Sequence, residues 1–131
     1  MRKVENVSDE QARWSPVPTG TSLIWLVSHL ARAETLWIVG RFAGTEIDTS
    51  TFDPSDEGRE TLADAVESYR ATWKRVDAIV ADADLDDVCK IIDVAPAPDL
   101  RWVLAHLLQE TARHAGHADI LRELIDGHTG R

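Results

Sequence analysis

Apolar residues recur at helical spacing in three long stretches of this chain. Over residues 21–42, Trp25, Leu26, His29, Ala33 and Leu36 fall on one face, the pattern of an amphipathic helix. Thr21 or Ser22 is placed to cap its start, Gly44 lies just past its end, and Gly40 weakens it slightly. Over residues 56–83, Leu62, Val66, Tyr69, Trp73, Val76 and Val80 form a heptad-like stripe, as helical bundles use. The third stretch covers residues 99–125 and stops at Gly127, a glycine suited to a helix C-terminus. Ahead of these, Ser8 can cap one or two turns through Asp9–Arg13 before the Pro- and Gly-bearing residues 15–20 break the pattern. Residues 88–94 are rich in β-branched side chains and are expected to be briefly extended, until Pro96 and Pro98 stop them. Three long amphipathic helices and no convincing sheet predict an all-α bundle, with residues 1–131 as a single domain.

Charge narrows the functional classes. The chain carries 14 Lys+Arg against 23 Asp+Glu, a net −9. Phosphate backbones would repel it, which argues against a nucleic-acid partner. The acidity is local: residues 44–100 hold fifteen acids and five bases, the signature of solvated helix faces and acidic loops. The acidic run at residues 82–87 lacks the glycine and terminal glutamate of a calcium loop. One cysteine, Cys89, excludes an internal disulfide and reads as a buried thiol. The most apolar run, near residues 23–27, gives way to Ser28, His29 and Arg32, so no membrane span is expected. No apolar signal region follows Met1, and a cytoplasmic protein is expected.

The last helix carries the chemistry. With Glu110 at zero and 100° per residue, Val103, Leu107, Leu121 and Leu124 lie within about 60° of it. His106, His114 and His117 fall within about 40° of the same direction. Burying three imidazoles and a carboxylate among leucines is costly without partners. His29 sits on the apolar face of the second helix, and two facing helices would aim it at Glu110 and His114. Those two are four residues apart and can reach one point. Two imidazoles and a carboxylate suit a divalent metal, and three protein ligands leave a position open for chemistry. The same residues also allow a plainer arrangement. His29 then hydrogen-bonds within the core, Glu110 pairs with a cationic histidine, and His106 lies in an interface. His128, past the helix end, is expected in solvent. Gly116 is expected to be a packing glycine inside a continuous helix.

Two blocks of sequence resemble the DinB superfamily of metalloenzymes. One is the run from Leu100-Arg101-Trp102-Val103 and His106 through Glu110-Thr111-Ala112-Arg113-His114-Ala115-Gly116-His117 to Gly127. The other is His29-Leu30-Ala31-Arg32-Ala33-Glu34, followed by Trp37. The similarity is greatest to the mini-circle-type branch of mycothiol-using bacteria. It implies a four-helix bundle with a divalent metal, zinc or nickel, between the second and last helices. The ligands carried over are His29, Glu110 and His114, a variant similar to that of mycothiol-dependent maleylpyruvate isomerase. His117 stands where other branches often have glutamine, and with His106 it is read as supporting the ligands rather than binding the metal. Glu34, about 140° around its helix from His29, is expected to pair with an arginine instead.

The resemblance implies a metal-dependent thiol S-transferase, with a low-molecular-weight thiol of the mycothiol type and a small electrophile as substrates. The alternative is a non-enzymatic metal or small-molecule binding bundle of the same superfamily, and a third reading is a purely structural bundle. Relatives have a full-length first helix, whereas only Ser8 to Arg13 is visible here. The expectation is therefore a DinB-like four-helix bundle with a shortened first helix, forming a homodimer that covers Trp25, Trp37, Trp73 and Trp102.

Overall fold

A computed structural model describes residues 2–48, 61–91 and 95–129. A 3-10 turn at Arg2–Val4 precedes α1 (Asp9–Arg13), whose N-cap Ser8 forms a capping box with Gln11. Helix α2 (Leu23–Glu34) starts at N-cap Ser22, continues without a break as a π-helical segment (Thr35–Phe42), and is followed by Gly44 at φ +68°. Helix α3 (Leu62–Ala81) is capped by Thr61, and α4 (Leu100–Asp126) runs from N-cap Asp99 to the left-handed Gly127. Mostly helical, with no strand among the described residues, the molecule has the expected all-α class. The start expected for α3 near residue 56 is corrected: Thr61 is extended and caps the helix, which begins at Leu62, while residues 56–60 lie outside the described residues. The extended stretch is seen only in part, as an antiparallel bridge between Val88 and Asp99.

Helix α2 is the shared neighbour of the others: it packs along α3 and against α4, which meet each other only sparsely. The core divides into two. At one end Leu23, Ile24, Leu26 and Val27 of α2 meet Leu62 and Tyr69 of α3 and Leu121 of α4. At the other, Ile38 and Phe42 of the π segment enclose Cys89 with Leu100, Val103 and Leu107. On α4, Glu110 and His114 fall in sequence between the residues of the two clusters; His29 of α2 meets Glu110 there, and Glu34 meets Tyr69 of α3. The bundle thus has two apolar ends and a polar waist.

The π segment was not legible in the periodicity. Its wider turn is closed by bonds such as Ala43 N–H to the Ile38 carbonyl, 2.9 Å. It keeps Ile38, Val39 and Phe42 buried while leaving Trp37 against the α4 surface, 5.4 Å from Trp102 between ring centroids. Such segments insert extra residues per turn and re-aim the side chains that follow.

Three expectations from periodicity are corrected. Leu124 does not face inward but is 59% exposed, because α4 meets α2 over a narrow strip. The partner that the described residues show for Glu34 is Tyr69, whose Oη donates to it at 2.6 Å, because its direction on α2 faces α3. Burial raises the Glu34 carboxyl above its ordinary value, against the lowering effect of the Tyr69 and Trp73 hydrogen bonds. Nor is Gly116 a packing glycine, since a Cβ there would meet nothing within 4 Å. Gly116→Ala is accordingly expected to stabilise the protein by about 1 kcal/mol through helix propensity alone. Urea unfolding checks this, and an unchanged or lower midpoint would contradict it.

Candidate metal centre and its cleft

The capping of α2 and α4 sets the rotation that brings the polar residues together. Ser22 accepts from Trp25 N–H and Asp99 from Trp102 N–H, so both helices start from fixed points. Nearly two turns into α2 stands His29, and halfway along α4 stand Glu110 and His114. Glu110 Oε2 lies 3.8 Å from His29 Nε2 and 3.3 Å from His114 Nε2. One donor atom from each of the three residues falls within 4.8 Å of the others. His114 is buried, and His29 and Glu110 are half-buried, open on one side to a cleft between α2 and α4.

Charge at the site is arranged for electron-pair donation. Burial pushes the Glu110 carboxyl up, but Arg113, His114 and His106 outweigh it and hold it below the usual carboxylate range. Arg113 Nη1 contacts Glu110 Oε1 at 2.6 Å, leaving Oε2 toward the histidines. Burial, with the neighbouring His29 and His117, lowers the His114 imidazole against the pull of Glu110. His114 therefore favours its neutral form, in which one ring nitrogen keeps a lone pair.

The remaining side chains fix the rings. Trp25 stacks on His29 with centroids 4.7 Å apart and planes 10° from parallel. His117, exposed, places Nδ1 3.3 Å from His114 Nδ1. His106 stacks on Trp102, 5.2 Å away and 6° from parallel, with Trp37 tilted against it at 4.8 Å. One turn before Glu110, it forms part of the cleft wall, and its charge helps to hold the Glu110 carboxyl low. His128 is exposed beside Asp126, and Cys89 is buried in the apolar cluster at the far end of α2. Residues 84–87 use their acids to close a turn, with Asp84 N–H donating to Asp87 and Asp86 N–H to Asp84.

The cleft occupies about 510 Å³ and is lined by Trp25, His29, Arg32, Trp37, His106 and Glu110, with the Trp37 and His106 rings against each other as its aromatic far end. Arg32 and Trp37 were not singled out as site residues from sequence. The signal for the far end was present in the spacing of Trp102, His106 and Glu110 on α4, four residues apart each time. No helix among the described residues is long and apolar enough to cross a membrane.

The family model for mycothiol-S-transferase matches residues 1–127, nearly the whole chain and both blocks that resemble the DinB superfamily. No curated protein matches the chain.

Proposed function

The chain belongs to the mycothiol S-transferase family, and on that premise we propose that it transfers a low-molecular-weight thiol of the mycothiol type to a small electrophile, with a divalent metal held by His29, Glu110 and His114. The observation that carries this reading is the donor set itself: two imidazole nitrogens and a carboxylate oxygen within 4.8 Å, at the edge of a cleft. Their chemistry fits zinc or nickel, and three protein ligands leave room for a further one. When bound, such a metal lowers the pKa of a coordinated thiol so that the thiolate persists at neutral pH.

The chain's own residues do the rest. Arg113 keeps Glu110 ionised and turned toward the histidines. A ligand role at Nε2 leaves the His114 proton on Nδ1, where it is donated to His117, which sets the tautomer. Trp25 holds the His29 ring plane, and the cleft gives the electrophile a place beside the thiol. A reaction with a thiol of this kind suits the cytoplasm. Elemental analysis of untagged protein purified without chelators tests the reading. About one zinc or nickel per chain is expected, whereas metal-free protein whose melting is unchanged by either ion would remove it.

We also infer a homodimer. Trp102, Ile120 and Leu124 leave α4 with large exposed apolar area, at 49%, 59% and 59%. A symmetric pair covers such a stripe on both copies at once. Sedimentation at low micromolar concentration is expected to give twice the chain mass, and a monodisperse monomer would dismiss the dimer.

A further inference from the structure

The cleft is more aromatic than a metal centre requires. Trp25, Trp37 and His106 line it, and Trp102 stacks behind His106. These rings are held in place rather than loosely exposed. Arg41 lies over Trp37 at 4.1 Å, Trp37 leans on Trp102 and His106, and Trp25 is parallel to His29. Rigid aromatic surfaces bind flat, polarisable molecules at low entropic cost. Among the lining residues Arg32 is the permanent cation, its Nε bonded to the Ser28 carbonyl at 3.2 Å. In sequence it lies between His29 on α2 and Trp37 in the π segment.

Spacing sets the size of what fits. His106 is one helical turn from Glu110, about 6 Å along α4. A single ring against His106 and Trp37 therefore ends within bonding reach of a thiol held beside Glu110. The cleft holds about 510 Å³ in all, room for such a ring with part of the thiol beside it.

Building on the transferase reading, we propose that the electrophile is a small, planar, conjugated carbonyl compound, stacked on the Trp37–His106 wall with its carbonyl oxygen toward Arg32. The reaction is then a conjugate addition. The sulfur–carbon bond forms at the β-carbon while the alkene electron pair shifts to the carbonyl oxygen. Arg32 stabilises the negative charge that develops on that oxygen. The enolate takes up at its α-carbon, through solvent, the proton the thiol released, so no leaving group and no further reactant are needed.

Binding of 4-phenylbut-3-en-2-one, compared with its saturated analogue 4-phenylbutan-2-one, tests this by calorimetry on the full chain without thiol or added metal. The planar ketone is expected to bind about five- to tenfold more tightly, a preference lost in Trp37→Leu and in His106→Leu. The second variant sits on the accessible flank of the cleft and keeps the test open should the first fail to fold. Arg32→Gln is expected to leave binding within about threefold but to slow thiol addition about a hundredfold in metal-loaded protein. Equal binding of the two ketones, or a preference that survives both aromatic variants, overturns the proposal. Aromatic-dependent binding without any adduct in the presence of metal and thiol upholds the stacking site while removing the transferase reading. Ready alkylation of the thiol by iodoacetamide alongside indifference to the planar ketone does the reverse.

Discussion

Glu110→Gln is expected to lower the affinity for zinc or nickel by about a hundredfold or more, while the metal-free variant unfolds at nearly the wild-type denaturant midpoint. The substitution keeps the shape and removes the charge from Oε2, the atom that lies between His29 and His114. Loss of a partner that only orients a ligand costs about 10- to 100-fold in metal affinity, so loss of an anionic donor costs at least that. Stability without metal changes little because Arg113, the carboxylate's other partner, is 58% exposed and returns to water. His29→Ala and His114→Ala are expected to match it in affinity, and His117→Ala to cost about tenfold by freeing the His114 ring. Equilibrium metal titration against a chelator of known affinity measures all four. Should Glu110→Gln bind either ion as tightly as wild type, the carboxylate is no more than an ion-pair partner of the histidines.

Arg122→Met is expected to destabilise the protein by about 2 kcal/mol and lower its melting temperature by roughly 6–10 °C. Arg122 is 4% exposed, far less than arginine tolerates without partners. Its Nε donates to both carboxylate oxygens of Asp126 at 3.0 and 2.9 Å, and Nη1 donates to the Lys3 and Glu5 carbonyls at 3.1 and 2.7 Å. One side chain thus pins the N-terminal turn to the end of α4. Methionine keeps the aliphatic stem and removes every donor. The penalty stays at the low end for a buried charge because Asp126 and Glu5 regain water. Arg122 is the main reason the Asp126 carboxyl lies below its ordinary value. A depressed carboxyl contributes stability above its unfolded pKa and loses it as pH falls through the folded one. The difference between wild type and variant is therefore expected to shrink in acid, below the usual aspartate range. Thermal unfolding across pH checks both parts, and a variant within 1 °C of wild type at neutral pH would remove the tether.

The sequence by itself determined where α1, α2 and α4 start, where α4 stops and which helix carries chemistry. Ser8, Ser22 and Asp99 are caps because short polar side chains satisfy the first free N–H groups, a local effect that needs no tertiary partner. Gly127 ends α4 for an equally local reason, its positive φ. The four-residue step from Glu110 to His114 lies within one helix, so their proximity follows from helix geometry alone. What only the tertiary structure decided is everything that depends on rotation and approach between helices. Helix α4 touches α2 along a strip narrower than its apolar arc, which leaves Leu124 in solvent and Gly116 without a neighbour. The π segment from Thr35 shifts the register after Glu34, and that shift, which no fixed period encodes, carries Trp37 to His106 and makes the far wall of the cleft. Arg122 finds the Lys3 and Glu5 carbonyls more than a hundred residues away. Contacts of that kind are set by how the elements pack, because hydrophobic periodicity records which side of a helix is buried and not what lies opposite it.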